Sequence, residues 1–273
     1  MTAGEPAADK VERFRSLHVP GTPLVMPNPW DQGSAKLLAS IGFQALATTS
    51  GGFANTLGRL DGSVTRDEAI DHAAALVAAV DVPVSADLEN GFADAPADVA
   101  ETIGLAVDAG LAGCSIEDYT GRRDDPIYEF GLAVDRVRAA ADAAGGRLVL
   151  TARAENFIHG RPDMADTIAR LQAFQEAGAD VLFAPRVVAV DDVRTLVGEV
   201  DRPVNVLALP GAPTVPELAE AGVARISIGS GFALVAYGAV VTAARELLDH
   251  GTLGWWAQAG PGRDATRVAF SSS

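Results

Sequence analysis

Along the chain, short runs of β-branched and other apolar residues alternate with longer amphipathic stretches, the pattern of repeated βα units. The apolar runs predict eight strands, at Leu24–Pro27, Ala45–Thr48, Val84–Asp87, Gly113–Glu117, Leu148–Arg153, Val181–Ala184, Val204–Leu207 and Arg225–Ile228. The stretches between them predict eight helices, at Gln32–Ile41, Arg66–Val80, Ala97–Ala109, Leu132–Ala144, Met164–Ala177, Val190–Val200, Val215–Ala221 and Phe232–Leu248, and Ala8–Leu17 predicts one more ahead of the first strand. Three helices close on Ala-Gly, at Gly110, Gly178 and Gly222, where glycine lets the chain turn back into a strand. With no Pro/Ser-rich linker to divide it, this order predicts an α/β protein, a single-domain (β/α)8 TIM barrel over residues 1–273 with an extra N-terminal helix and a C-terminal tail from about residue 251. A doubly wound sheet is the alternative, but the first βα turn lacks its Gly-x-Gly-x-x-Gly fingerprint.

In such a barrel the reactive groups stand at the C-terminal strand ends. Side chains alternate along a strand, so Ser85, Asp87 and Glu89 share one side of the third strand, Ser115 and Glu117 one side of the fourth, and Thr151, Arg153 and Glu155 one side of the fifth. Asp87, Glu89, Glu117, Arg153 and Glu155 are therefore directed towards the mouth. Four carboxylates in a partly dehydrated mouth disfavour one another's ionised forms unless a cation joins them. Mg2+ is the economical cation, because it uses few protein carboxylates, keeps several waters and takes its other oxygens from a substrate. Arg153 then grips a substrate carboxylate with its planar fork. The same acids also fit helix caps or surface ion pairs, and the pattern alone leaves that reading open. After the second strand, the small residues Thr48-Thr49-Ser50-Gly51-Gly52 bring backbone N–H groups and hydroxyls near an anionic substrate, with Asp61 further on reaching back to the metal's waters; an ordinary Ser/Gly loop has the same composition. The polar loop at 118–130, with Gly121 as a hinge, is either a lid or a solvated connector.

Composition narrows the chemistry. Acidic residues number 36 against 21 basic ones, and the net charge of −15 opposes the attraction that underlies nucleic-acid binding, so no nucleic-acid partner is expected. A single cysteine, Cys114, excludes an internal disulfide and a multi-thiolate metal site, and its parity on the fourth strand suits a buried, inert thiol better than a nucleophile. Lys10 and Lys36 are the only lysines and neither is placed at a strand end, which disfavours Schiff-base chemistry. Of the four histidines only His159, after the fifth strand, lies on the active face, where it is catalytic or merely solvated. The opening residues lack signal-peptide architecture, and the longest apolar tract, Gly231 to Ala244, is too short for a bilayer span; the expectation is a cytoplasmic protein with no membrane partner.

Several ordered motifs carry a resemblance over about residues 10–250: Thr49-Ser-Gly-Gly52, Leu57-Gly-x-x-Asp61, Pro83-Val-Ser-Ala-Asp-Leu-Glu-Asn-Gly-Phe92, Ser115-Ile-Glu-Asp118, Ala152-Arg-Ala-Glu-Asn-Phe157 and Gly178-Ala-Asp180. Together they resemble the isocitrate lyase/phosphoenolpyruvate mutase superfamily. The resemblance implies a (β/α)8 barrel that binds Mg2+ and a small 2-oxo or 2-hydroxy acid and makes or breaks a C–C or P–C bond through a pyruvate-type enolate. Carried over by motif, Asp87 is the direct metal ligand; Asp61, Glu89 and Glu117 hold its waters; Arg153 takes the substrate carboxylate; and Thr49, Ser50 and Gly51 form the backbone clamp. Arg153 and Glu117 are the catalytic positions. The implied assembly is a homodimer or homotetramer that exchanges the last helix.

The departures are specific. The Lys-Lys-Cys-Gly-His lid of isocitrate and methylisocitrate lyases, whose Cys donates a proton, is replaced at Tyr119–Pro126 by a loop without Cys, His or Lys. The Lys and Asn of the phosphonate enzymes' lid are missing as well, their strand-six His falls on Pro185, and the strand-two aromatic of the mutases falls on Ala47. The sequence thus implies a Mg2+-dependent C–C lyase of a small 2-oxo or 2-hydroxy di- or tricarboxylate. A mutase or hydrolase acting on phosphoenolpyruvate or phosphonopyruvate through a divergent lid is one alternative, and a non-catalytic binding protein for 2-oxo acids is the other.

Overall fold

Helix starts in this chain are fixed locally. Asp31 accepts the Ser34 N–H (2.6 Å) while the Ser34 hydroxyl accepts the Asp31 N–H (3.1 Å), and Thr65 and Glu68 form the same reciprocal pair. The computed structural model describes residues 6–271. Its elements run Ala7–Ser16 (α1), Leu24–Met26 (β1), Gln32–Ile41 (α2), Leu46–Ala47 (β2), Ser50–Thr56 (α3), Arg66–Ala79 (α4), Val84–Asp87 (β3), Pro96–Asp108 (α5), Gly113–Glu117 (β4), Phe130–Ala144 (α6), Val149–Arg153 (β5), Met164–Glu176 (α7), Val181–Phe183 (β6), Val190–Gly198 (α8), Val204–Leu207 (β7), Val215–Glu220 (α9), Arg225–Ser227 (β8), Gly231–His250 (α10) and Trp256–Phe270 (α11).

All strand pairs are parallel, in the order β1-β8-β7-β6-β5-β4-β3-β2, giving a nearly closed (β/α)8 barrel. β1 and β2 form no ladder. Their seam is stitched by the Ala47 N–H to the Pro27 carbonyl (3.1 Å) and by buried Asn28. Its amide donates to the Thr48 carbonyl (2.8 Å) and accepts from the Ile228 and Gly229 N–H groups (both 3.0 Å). Outward-facing strand residues such as Cys114, Ile116 and Leu150 pack beneath helix residues such as Leu76, Ile103, Leu171 and Phe174. In that layer Cys114 is fully buried and burial pushes its thiol up to about 12, the inert state the sequence suggested.

The N-terminal helix closes the floor of the barrel. Phe14 is fully buried, and a methyl group on Gly113 would come within 2.6 Å of its ring and 2.9 Å of the Val149 carbonyl, so β4 starts with glycine because nothing larger fits. One turn on, His18 gives its Nδ1–H to the Phe14 carbonyl (2.8 Å), which leaves Nε2 to accept from Arg225 (3.2 Å).

Two helices depart from the sequence reading, and a third bears on its bilayer estimate. The Ser/Gly segment after β2 is the short helix α3, because Thr49 caps it by accepting the Gly52 N–H (3.3 Å). The tail from 251 contains α11, which packs on α2 despite Pro261 within it and brings Phe270 beside Gly33. α10 agrees with the helix read over Phe232–Leu248, but the whole helix, Gly231–His250, extends past the apolar tract that ends at Ala244, and by length and composition alone it is long and apolar enough to cross a membrane, where the tract by itself is too short. Most of its surface, including Leu234, Val235, Val240, Val241 and Leu248, is exposed in the single chain.

Burial and the charge of Arg225 depress the pKa of His18 from 6.5 to about 3. Below pH 6.5 the unfolded chain takes up a proton that the folded one refuses until about pH 3, so acid favours unfolding, by about 1.4 kcal/mol per pH unit from this residue. Urea titrations between pH 6 and pH 4 should show a slope reduced by that amount in His18→Gln; parallel slopes would refute it.

Candidate active site

Three strand ends meet in one guanidinium. Arg153, the last residue of β5, reaches Asp87 Oδ1 at the end of β3 (3.1 Å), Glu117 Oε2 at the end of β4 (3.1 Å) and Glu155 Oε1 two residues further on (2.8 Å). Its guanidinium lies 5.2 Å from the centroid of the Phe183 ring. These carboxylates hold the Arg153 pKa above its ordinary value even though burial works against the charge. Burial pushes Glu117 well above the usual carboxylate range, with Arg153 opposing and the neighbouring acids adding to the rise.

Each group is held by local backbone bonds. The Asp87 N–H donates to Thr48 Oγ1 (2.9 Å), and its Oδ2 accepts from Ser50 Oγ (3.1 Å). Glu89 lies beyond the strand and takes a left-handed φ of 48°, so a turn rather than strand alternation aims it. The turn is held by the Glu117 N–H on the Glu89 carbonyl (2.9 Å). Glu89 Oε1 is buried and has no hydrogen-bond partner, and burial with the charges of Asp87 and Asp61 raises its pKa to about 7. Glu155 is positioned by Asp118, whose Oδ1 accepts the Glu155 N–H (2.8 Å) while Oδ2 pairs with Arg170 (3.1 Å). That gives Asp118 an internal anchoring role.

Asp61 arrives from the segment between α3 and α4. It stands over Gly51, where a methyl group would lie 3.2 Å from its carboxylate and 2.8 Å from Ser230 Oγ. Ser50 and Asp61 join Glu89, Glu117, Arg153 and Glu155 around a mouth cavity of about 900 Å3, and Asp87 and Thr49 line a second cavity of about 260 Å3 beneath it. Gly51 is buried behind them as the spacer that lets Asp61 approach.

Strand-end reasoning passed over Tyr119 as a wall residue and left His159 undecided. Their rings stack at 3.8 Å on the cavity wall, with His159 Nε2 3.8 Å from Glu155 Oε2. Only the position of His159 after β5 signalled this from sequence. Beside it, the 118–130 loop is a small hairpin: Tyr119 bridges Ile127, and the Thr120 N–H donates to the Pro126 carbonyl (2.8 Å).

No three acid, imidazole or thiol groups among the described residues converge as a ready-made metal cage. The donor set nevertheless fits a hydrated hard cation. It is all carboxylate oxygen, Glu89 Oε1 is orphaned, and Asp87 and Asp61 are near enough to act on its charge.

The family model described as phosphoenolpyruvate phosphomutase matches residues 14–248. The chain belongs to the phosphoenolpyruvate phosphomutase family. It shares 31% identity over 232 residues with 2-methylisocitrate lyase of Escherichia coli K12, covering 77% of this chain and 78% of that protein. An uncharacterised Mycobacterium tuberculosis H37Rv protein is 35% identical over 219 residues, covering 80% and 81%. Among solved structures, a candidate lyase/mutase from Burkholderia cenocepacia J2315 superposes with a TM-score of 0.93 at 49% identity, covering 98% and 97% of the two chains. 2,3-Dimethylmalate lyase, a member of the phosphoenolpyruvate mutase/isocitrate lyase superfamily, gives 0.83 at 26%, covering 95% and 94%. The chain is thus an enzyme of the superfamily that holds both lyases and mutases.

In this family member the Asp118–Arg170 pair is almost fully buried, 1% and 9% exposed. Asp118→Ala leaves Arg170 without that partner and the Glu155 N–H without an acceptor, and should cost about 3–5 kcal/mol in urea unfolding; a loss below 1 kcal/mol would contradict the anchoring role.

Proposed function

We propose that this protein is a Mg2+-dependent lyase that cleaves a C–C bond of a small 2-oxo or 2-hydroxy di- or tricarboxylic acid through a pyruvate-type enolate. The observation that carries this reading is Arg153 fixed among Asp87, Glu117 and Glu155 beside the orphaned Glu89 oxygen, all at the C-terminal strand ends. Two lyases similar to this chain carry names of branched 2-hydroxy acids with two or three carboxylates, which supports the substrate class.

In this reading Asp87 holds the metal directly, and Asp61, Glu89 and Glu117 hold its waters. Bound there, Mg2+ supplies Lewis-acid stabilisation of developing enolate charge. Arg153 has five N–H donors, of which Glu155, Asp87 and Glu117 occupy three. The remaining two take the substrate's 2-oxo carboxylate. Thr49, Ser50 and Gly51 bring the start of α3 against the same end of the substrate, and Phe183 keeps water from the lower face of Arg153. His159, stacked on Tyr119 and within reach of Glu155, moves the proton in place of the lid cysteine this chain lacks.

The exposed apolar side of α10 is covered, on the same reading, by a second copy of the chain in a homodimer or homotetramer. Light scattering should then give at least twice the 28.1 kDa chain mass; a monomer would overturn the assembly.

Screening C3–C7 2-oxo and 2-hydroxy acids for pyruvate or glyoxylate release should reveal at least one substrate whose turnover EDTA abolishes. Asp87→Ala should remove calorimetric Mg2+ binding and lower turnover about 10²–10³-fold with unchanged circular dichroism. Turnover of phosphonopyruvate alone, or ligand-induced thermal stabilisation without any product, would overturn the lyase reading, and unchanged Mg2+ affinity in Asp87→Ala would overturn the metal assignment.

A further inference from the structure

Arg225 opens β8 and points into the barrel, only 3% exposed. Its Nε donates to Asn205 Oδ1 (3.0 Å), Nη2 to Thr151 Oγ1 (3.0 Å) and Nη1 to His18 Nε2 (3.2 Å). All three acceptors are neutral, since His18 commits its proton to the Phe14 carbonyl. No carboxylate among the described residues pairs with this guanidinium, and the charge acting on it is that of Arg153, of the same sign. Burial and that repulsion lower its pKa to about 9, so it is still a cation at neutral pH. A dry, charged guanidinium without a counter-charge is costly to keep, and two of its five N–H donors remain beyond the three bonds described.

The second cavity, about 260 Å3, runs from the mouth down to this group. Arg153 and Phe183 line it at the ends of β5 and β6, Arg225 and Asn205 near the starts of β8 and β7, and Ser227 and Leu207 two residues further up those strands. On β5, Thr151 and Arg153 are two residues apart on one face, so Arg225, held by Thr151, lies about 7 Å of strand rise below Arg153's own position. The mouth thus has an excess of acids around one cation, while the depth of the same cavity has a cation and no acid.

We propose that Arg225 receives a second anionic group of the substrate, a carboxylate on a short carbon tail that descends the barrel axis while the 2-oxo acid end stays at Arg153. This rests on the assignment of the 2-oxo acid end to the mouth and adds the residue that selects diacids over monoacids.

Calorimetric titration of the full chain with Mg2+, using 2-oxoglutarate and its monoacid counterpart 2-oxopentanoate, tests it. A charge-assisted contact predicts that the diacid binds roughly 10- to 100-fold more tightly to the wild type. Arg225→Gln should bring the two affinities within threefold and leave 2-oxopentanoate binding unchanged. Equal affinities in the wild type, or a margin that survives in Arg225→Gln, overturns the assignment. If circular dichroism shows Arg225→Gln unfolded, Arg225→Lys replaces it, and an undiminished margin there overturns the assignment too. Binding of neither acid to the wild type instead overturns the mouth assignment on which this one rests.

Discussion

Placing several carboxylates within reach of one guanidinium at the end of a barrel is the constraint that organises this protein. Arg153 satisfies Asp87, Glu117 and Glu155 together, but Glu89 and Asp61 add negative charge that it does not touch. Such a cluster holds its shape only if the backbone beneath is fixed from outside it. Thr48 does this for Asp87, and the Asp118–Arg170 pair does it for Glu155. Glu117 and Glu89 fix each other through a backbone bond across neighbouring strand ends. The geometry that remains is rigid in its walls and short of positive charge at its centre, which suits a cation that arrives with its waters.

The barrel was legible because it rests on repetition. β3, β4 and β7 fall where their apolar runs placed them, and alternation alone put Asp87, Glu117 and Arg153 on one side. Glu89 joined the same group by a different route, a left-handed turn past the strand end, which alternation does not describe. α3 was hidden because Thr49-Ser50-Gly51-Gly52 has no apolar periodicity: a cap and close packing make it helical, with Gly51 and Gly52 leaving no room for side chains. α11 was hidden by Gly260, Pro261 and Gly262, residues that argue against a helix until its packing on α2 is seen. Pairings across the fold, such as Asp118 with Arg170 or His159 over Tyr119, join residues far apart in the chain, and nothing in the local pattern reveals them.

The loop between β4 and α6 is organised largely by contacts of its own. A closing lid has to trade water contacts for protein contacts as it moves. Here the Tyr119–Ile127 bridge and the Thr120–Pro126 bond already commit part of the loop to itself, and Tyr119 is further held by the His159 ring. Tyr119, so held, forms part of the cavity wall as the loop stands.

The floor of a barrel is usually where sequence is read as stability and the mouth where it is read as chemistry. The chain of contacts from Phe14 through His18 to Arg225 does not respect that division. A change in α1 that turned the His18 ring, or a substitution of His18 just after it, would strip one acceptor from a buried cation and alter the electrostatic potential inside the lower cavity, with no residue of the mouth displaced. The N-terminal helix is in that sense an electrical part of the barrel, and variation there among relatives would retune what the cavity tolerates while leaving the visible active site unaltered.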